Sequence, residues 1–216
     1  MKKKSLLFIF LFFGISLSNA YAQDWAAAIK VSTLGGNIDI YRSFGEKFNV
    51  HLGYNYFTLI QSLGETDDYK SEGKVDLNSI SALGDFFPFE SSTFRITAGL
   101  MYNLNVVDAT LTSAQDIEVG GDVYTPEALG ILKATIDFNK IAPYIGLGFG
   151  NPTGGDSGFS FVFDVGTMYQ GSSLVALEAD GLLKPSATEE QENTIEDNLS
   201  WFQWYPVISL GLTYKF

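Results

Sequence analysis

The composition of this 216-residue chain already restricts its class. Its 25 Asp and Glu outnumber its 13 Lys and Arg, so it lacks the basic surface that nucleic-acid phosphates require. The absence of cysteine excludes disulfides, thiolate metal ligands and a cysteine nucleophile. Phe, Tyr and Gly are abundant at 18, 11 and 22 residues, whereas a single histidine leaves little acid–base chemistry. We therefore expect no nucleic-acid partner and few catalytic side chains.

The first 22 residues have the pattern of a secretory signal peptide. Three lysines at positions 2–4 precede an almost unbroken apolar stretch over residues 6–15, and Ala20-Tyr21-Ala22 provides small residues at a cleavage site. The apolar stretch is much shorter than the roughly 20 residues that a membrane-spanning helix needs. Cleavage after Ala22 would leave residues 23–216 as one domain with 10 basic and 25 acidic residues, because the leader contains no acid.

Alternation of apolar and polar residues with a period of two predicts that the rest of the chain consists of β-strands. The alternation is clearest in residues 93–105, where Phe94, Ile96 and Ala98 begin one face and Arg95, Thr97 and Gly99 the other. The ten predicted strands span residues 26–33, 37–42, 48–59, 74–86, 93–105, 131–139, 142–150, 158–169, 173–180 and 205–216. If residues 26–42 form one bent strand instead, the count becomes odd, so both ten and eight strands stay open.

The connections between these strands fall into two classes that alternate along the chain. Short connections at residues 43–46, 87–92, 140–141 and 170–172 alternate with longer polar ones at residues 61–73, 106–130, 151–157 and 181–203. This pattern is typical of an antiparallel membrane barrel with turns on one rim and loops on the other. The tight link at residues 34–36 is the exception.

The last long connection also contains a helix signal. Ser186 and Glu189 have the spacing of a capping box, and Ile195, Leu199 and Phe202 lie on one helical face. We predict a short amphipathic helix whose acidic opposite face is solvated and has no partner.

The two faces of the predicted strands carry different side chains. One face combines aliphatic residues with aromatic residues near the strand ends, as expected for a lipid-facing surface with interfacial girdles. The other face is small, polar and charged. A water-soluble sandwich, the alternative fold, would use the same polar residues as its outer surface. In lipid, all backbone groups must pair internally, so we predict an all-β, antiparallel, up-and-down transmembrane β-barrel.

A barrel of eight to ten strands has an interior about wide enough for side chains to fill. We predict that the charged residues of the polar face, which also carries Asp39, pair across this interior, because unpaired buried charges are unfavourable. The predicted lumen network consists of Lys30, His51, Arg95, Lys133, Asp137, Asp164 and Glu178. Two interpretations stay open: a plugged barrel, and a narrow gated passage for hydrophilic solutes.

The C-terminal residues 209–216, SLGLTYKF, resemble the β-signal of Gram-negative outer-membrane barrel proteins, in which a polar residue and a glycine precede two aromatic or apolar residues, the last at the terminus. Ser209, Gly211, Tyr214 and Phe216 fill this pattern. The wider sequence pattern, with segments such as LGG at 34–36 and APYIGLG at 142–148, resembles that of small porin-like barrels of the OmpW/OmpA type from a Bacteroidetes-like bacterium. The resemblance implies an outer-membrane location among lipid and lipopolysaccharide, and recognition by the barrel-assembly machinery. It carries no catalytic residue across.

Three further functions can be weighed against this expectation. Barrel enzymes generally need a histidine beside a carboxylate or serine at the outer rim, whereas His51 lies near the short turn at residues 43–46, so we predict no catalytic residue. The acids Glu65, Asp67, Asp68 and Glu72 could bridge Ca²⁺ to lipopolysaccharide, but they lack EF-hand spacing, so we expect solvated acids, no metal site and no cofactor. Binding or adhesion through the long loops is the main alternative to a monomeric porin-like or structural barrel.

Overall fold

The computed structural model describes residues 25–65, 69–90, 92–119 and 122–216. The predicted signal peptide, Asp67 and Asp68 lie outside these residues. The strands are β1 Trp25–Ser32, β2 Gly35–Ser43, β3 Phe48–Glu65, β4 Tyr69–Phe86, β5 Phe94–Asn103, β6 Val106–Ser113, β7 Ile117–Val119, β8 Asp122–Tyr124, β9 Ile131–Asp137, β10 Ile141–Phe149, β11 Gly158–Tyr169, β12 Leu174–Ala179 and β13 Trp204–Lys215. The helices are α1 Pro126–Leu129, a 3₁₀ helix Gly181–Ser186 and α2 Glu189–Asn198.

Eight strands form a closed circuit of antiparallel pairs, which we call the ring. Its order is β4, β3, β2, β1, β13, β11, β10 and β5, and β5 pairs back to β4. The circuit joins the first and last strands of the chain, because β1 pairs with β13 from Ala26 opposite Lys215 to Ser32 opposite Ser209. We call the rim that contains Trp25 and Lys215 the terminal rim, and the opposite one the distal rim.

The ring carries apolar side chains outside and polar side chains inside. Along β2, Ile38 and Ile40 are 59% and 54% exposed, whereas Asn37 and Asp39 between them are buried. The same alternation runs along β13, where Ile208 and Leu210 are exposed and Ser209 is buried. A water-soluble sandwich has the reverse arrangement, so the soluble alternative does not describe the ring.

Beyond the distal rim, the chain builds an extension of the same sheet. β3 and β4 are each 18 residues long. Their distal parts, residues 57–65 and 69–77, continue past the ends of β2 and β5. The distal part of β4 pairs with β6, β6 pairs with β9, and β9 pairs with β12. These five paired segments form what we call the extension sheet.

The extension sheet reverses the polarity of the ring. One row of paired residues crosses all five segments and is entirely apolar: Leu59, Val75, Val107, Ile136 and Val175. The neighbouring row points to the opposite face and is mainly polar: Ile60, Lys74, Asp108, Thr135 and Ala176. The apolar row continues the inward side of the ring. Above the ring, the sheet therefore has the layout of an antiparallel sheet with one face in water.

All ten predicted strands are present, but the predicted total is wrong. The sheet contains eleven strands rather than ten or eight, although eight of them form the ring. The eleventh, β6, lies inside the predicted polar connection at residues 106–130, and residues 61–73 are largely strand. Asp and Thr on one face of β6 give it the composition of a loop, yet β4 and β9 pair with it on both sides.

The predicted division of turns and loops between the rims is also wrong. β9 and β12 lie in the extension sheet and not in the ring, so the connections next to them do not lie at the rims that the alternation predicted. Residues 151–157, predicted as a loop on the opposite rim, share the terminal rim with residues 44–47 and 87–93. The link at residues 33–34 separates β1 from β2, and the positive φ of 99° at Gly35 rules out one bent strand.

The predicted helix is present as α2, with two differences. Its N-cap is Thr188, whose hydroxyl accepts from the Gln191 N–H, and not Ser186. Its acidic face is not free of partners, because Glu196 and Glu192 accept hydrogen bonds from the backbone N–H of Val175 and Leu177 at 2.8 and 2.7 Å. α2 thus covers the edge of β12. Among the described residues, no helix has both the length and the apolar character needed to cross a membrane.

Candidate functional site

The interior of the ring contains a cluster of buried charged side chains, each from a different strand. We call this cluster the lumen network. Its members are Lys30, Asp39, His51, Asp85, Arg95 and Asp164 from β1, β2, β3, β4, β5 and β11. Strand alternation directs all six side chains inward, and their burial makes pairing obligatory.

Lys30 forms the centre of one half of the network. Its Nζ lies 2.5 Å from Asp39 Oδ2 and 3.5 Å from Asp164 Oδ2, and it donates to the Tyr41 hydroxyl at 3.2 Å. The Tyr41 hydroxyl donates in turn to Asp39 at 3.3 Å. One ammonium therefore joins carboxylates from two strands that are not neighbours in the ring.

Arg95 forms the centre of the other half. Its guanidinium pairs with Asp164, its Nε lies 3.2 Å from Asp85 Oδ1, and it donates to the carbonyl of Gly150. Asp85 also accepts from the Thr97 hydroxyl at 2.6 Å. The planar fork of arginine is suited to this use, because it directs several donors along fixed lines.

His51 connects the two halves. Its ring stacks on Tyr41 with a centroid distance of 4.4 Å. Its Nδ1 lies 3.7 Å from Asp39 Oδ1, and its Nε2 lies 3.8 Å from Asp85 Oδ1. The network contains three carboxylates against the two permanent cations Lys30 and Arg95.

Three glycines make room for the network. A methyl group at Gly53 would collide with the Asp39 carboxylate, and one at Gly148 would collide with Arg95 and Asp164. A methyl group at Gly211 would collide with the stem of Lys30. The glycine-rich strands are thus required by the size of the interior side chains.

Apolar side chains fill the interior on the distal side of the network. Leu34, in the link between β1 and β2, is 1% exposed. It packs in a cluster with six other buried residues: Leu83, Met101, Ala142, Tyr144, Met168 and Val207. The cavity between this cluster and the lumen network has a volume of about 30 Å³. That volume holds about one or two water molecules.

Residues 150–157 close the interior at the terminal rim. Thr153 is buried and donates to Asn49 Oδ1 at 2.9 Å, while Asn49 donates to Asn151 Oδ1 at 3.4 Å. Pro152 beside them is also fully buried. This segment, predicted as a polar loop on the opposite rim, instead folds inward at the terminal rim and fills part of the ring's interior.

The structure brings four of the seven predicted network residues together: Lys30, His51, Arg95 and Asp164. The other three lie outside the ring. Lys133 is 3.3 Å from Asp108, Glu178 lies opposite Lys133, and Asp137 pairs with Lys140 at 2.7 Å. Period-two alternation could not exclude them, because the polar face of the extension sheet points outward. The described residues contain no group of three or more side chains arranged to hold a metal ion.

Two carboxylates and a tyrosine of the site were not in the predicted network. Asp39 was placed on the correct face, between the apolar residues Ile38 and Ile40. Asp85 is the last residue but one of β4. The alternation of apolar and polar residues around it, with Gly84 and Phe86, is too short to assign its side chain to a face. Tyr41 is aromatic, a type assigned to the lipid-facing side, yet it is completely buried.

The four residues of the predicted assembly signal lie on β13 or directly after it. Ser209 points inward and donates to Asp164 at 3.1 Å, and Gly211 lies against Lys30. Tyr214 and Phe216 are exposed, and their rings contact each other at 5.5 Å between centroids. Two signal positions thus take part in the interior packing and two form the outer surface. Their recognition by assembly machinery stays a prediction.

Comparison with known proteins shows similarity at the level of the fold. No protein-family model and no curated protein matches the sequence. The crystal structure of Acinetobacter baumannii CarO matches with a TM-score of 0.58 and 20% identity, covering 88% of this chain and 97% of that chain. CarO2 of the same organism matches with a TM-score of 0.58 and 19% identity, covering 89% and 98%. Both are outer-membrane β-barrel proteins, so this chain has the fold of that class.

Proposed function

We propose that this chain is a transmembrane β-barrel of a Gram-negative outer membrane, exported by a signal peptide cleaved after Ala22 and assembled through its C-terminal strand. The apolar outer surface of the ring supports this proposal. Exposed aromatic residues accompany both rims, with Tyr56, Tyr102 and Trp204 at the distal rim and Phe48 and Tyr214 at the terminal rim. In the orientation that we propose, the terminal rim faces the periplasm and the extension sheet lies outside the cell.

Within that membrane, the ring acts as a closed structural barrel and not as an open pore. The observation that carries this proposal is the filled interior, whose distal cavity has a volume of only about 30 Å³. A hydrophilic solute would have to displace the Leu34 cluster and break buried ion pairs of Lys30 and Arg95. Separating such pairs leaves uncompensated buried charges, which is strongly unfavourable.

No enzymatic role is included in the proposal. His51 is 4% exposed and lies between Tyr41 and two carboxylates, so a substrate has no access to either ring nitrogen. Catalysis by a general base requires that the base reach the proton that it abstracts.

The experiment is single-channel recording of the refolded mature protein in planar bilayers, with Arg95→Ala beside the wild type. We expect no steady conductance from the wild type. Folding is checked in parallel by circular dichroism and by electrophoretic mobility before and after heating. A steady wild-type conductance that Arg95→Ala alters would establish a passage through the lumen network and refute the closed barrel.

A second candidate function is binding at the cell surface. The observation that favours it is the extension sheet, which places five paired segments and α2 beyond the distal rim. Protease treatment of intact cells tests the orientation, because cleavage between β7 and β8 requires this hairpin to lie outside. Protection of the hairpin in intact cells, with cleavage after the outer membrane is opened, would place it in the periplasm.

A further inference from the structure

One edge of the extension sheet lacks a neighbouring strand. β3 pairs with β2 only as far as Tyr56, opposite Gly36, and then continues to Glu65 with β4 on its other side. Gly35 at the start of β2 still lies against Phe57, but within the described part of the chain residues 58–65 have no strand beside them on the β2 side. Alternate residues there direct their N–H and C=O groups away from β4, where water or another strand must satisfy them.

The opposite edge of the same sheet is covered. Glu192 and Glu196 of α2 accept from the backbone N–H groups of Leu177 and Val175 on β12. Carboxylates thus cover one edge, whereas among the described residues no strand or helix covers the other. A difference of this kind within one sheet indicates that the open edge has a separate use.

Most of the open edge also lacks the charged residues and prolines that often prevent strand addition. Residues 57–64 contain no charged residue and no proline. A bulge between Ser62 and Gly64 limits regular pairing to residues 58–62, which is a typical strand length of about five residues.

Exposed apolar side chains accompany the unpaired backbone. On the apolar face, Phe57, Leu59 and Leu63 are 41%, 45% and 64% exposed. Further from this edge, Leu77 and Val175 on the same face are buried. The apolar face is therefore least covered next to the strand that lacks a neighbour.

We propose that this edge binds an extended segment of another polypeptide at the cell surface, which pairs with residues 58–62 of β3 as an additional strand. Backbone hydrogen bonds would provide affinity, and alternate side chains would provide specificity. The segment that fits has apolar residues on the side of Phe57 and Leu59 and polar residues on the side of Thr58 and Ser62.

A second copy of the chain in the same membrane fits this edge poorly. This step rests on the proposed orientation across the outer membrane. Two such copies are related by an axis along the membrane normal, and barrel strands tilt by roughly 35–45° from that axis. The two edges would therefore cross at a large angle instead of lying side by side. A flexible extended segment has no such restriction.

The test uses the mature protein in detergent and a fluorescent peptide with the sequence of residues 106–113, VVDATLTS. This segment alternates apolar and polar residues as required and pairs with β4 in the native sheet. We expect saturable binding with one peptide per protein, measured by fluorescence anisotropy. The same peptide with Thr110→Pro should bind at least tenfold more weakly, because proline removes a backbone donor.

Protein variants locate the binding site. Leu59→Lys and Ile60→Lys place charges on the open edge and should each weaken peptide binding at least tenfold. Val123→Lys is the matched control, because Val123 is 65% exposed but lies on the separate β7–β8 hairpin, and it should bind like the wild type. Unchanged electrophoretic mobility verifies that each variant is folded.

Three outcomes would overturn the proposal: no binding by the folded wild type, equal binding by the edge variants, or equal binding by the proline peptide. A fourth outcome, dimerisation in sedimentation velocity that Ile60→Lys abolishes, would assign the edge to a second copy and would also overturn the proposal.

The peptide assay in detergent does not depend on membrane orientation. Protease treatment of intact cells tests that orientation separately, so failure of the edge proposal and failure of the proposed location are distinguishable.

Discussion

Arg95 and Asp164 form an ion pair inside the ring that links β5 to β11, although β10 lies between these strands. The two strands share no backbone pairing, so the side chains add a connection that the sheet does not provide. Asp85 on β4 shares the same guanidinium. The network therefore holds the interior side of the ring together, while exposed apolar residues cover its outside.

Removal of the Arg95 guanidinium should destabilise the folded ring strongly. Arg95→Ala leaves Asp85 and Asp164 buried without this cation, which we expect to lower the free energy of unfolding by about 3–5 kcal/mol. Arg42→Ala is the control, because Arg42 is exposed and stacks on Trp25 and Phe44. Urea titration of the refolded variants measures the difference. Equal midpoints for both variants would contradict the role of Arg95.

The position of Gly211 should be sensitive to added volume. Gly211→Ala forces a methyl group against Lys30, and we expect a loss of about 1–3 kcal/mol from overpacking. Gly84→Ala serves as control, because a methyl group there makes only ordinary contacts at 3.8 Å or more. Urea titration compares the two variants. A Gly211→Ala protein as stable as Gly84→Ala would mean that Lys30 moves aside at no cost.

His51 and Asp85 should be energetically coupled. His51→Phe keeps a ring to stack on Tyr41 but removes the nitrogens that lie near Asp39 and Asp85, so we expect it to destabilise the protein. Asp85→Asn removes one of the three carboxylates, so the double variant should be less destabilised than the sum of the single variants. A double-mutant cycle by urea unfolding measures the interaction energy. Strict additivity would show that His51 and Asp85 do not interact energetically.

The contact between α2 and β12 should protect the edge amides. Glu192→Ala and Glu196→Ala each remove an acceptor, so hydrogen exchange should accelerate at Leu177 and Val175 respectively. Glu190→Ala is the control, since Glu190 is exposed on the same helix. Hydrogen–deuterium exchange with mass spectrometry resolves this segment. Unchanged exchange in both edge variants would remove α2 as the cover of β12.

Phe216 should contribute to assembly as part of the C-terminal motif, and not only as an exposed aromatic side chain. Phe216→Ala should reduce the amount of folded protein in the outer membrane severalfold. Phe159→Ala is the matched control, because Phe159 is an exposed aromatic residue at the same rim, 4.9 Å from Tyr214 between ring centroids, but lies outside the C-terminal motif. Quantitative immunoblotting of membrane fractions compares them. Equal losses would mean that the lipid-facing aromatic surface, and not the motif, explains the effect.

Period-two alternation in the sequence predicted where the strands lie better than where they pair. Residues 131–139 and 173–180 were correctly predicted as strands, yet β9 pairs with β6 and β12 pairs with β9, both beyond the ring. Alternation defines two faces of a strand but does not indicate its neighbours or which face is buried. β6 escaped detection because Asp108, Thr110 and Thr112 make its polar face resemble a loop.

The same limit explains the partial prediction of the lumen network. Lys30, Arg95 and Asp164 alternate with apolar residues that lie on the outside of the ring, so their inward direction followed from the alternation. Lys133 and Glu178 also alternate with apolar residues. In the extension sheet, however, the apolar residues face inward, so these two charged residues face outward. Composition offered one usable difference: the apolar residues of the ring strands alternate with many glycines and small residues, which leave space for large interior side chains.

The reversal of polarity along β3 and β4 has a consequence for the depth of the protein in the membrane. On the outer face of β4, Asp76 is followed by Asn78 and then Ile80, and on β3 Tyr56 is followed by Thr58, which pairs with Asp76. In the proposed orientation, with Asn78 at the membrane boundary, sinking would move the Asp76 carboxylate towards hydrocarbon, and rising would move Ile80 towards water. In a membrane, this strand pair would therefore limit the depth at which the protein sits.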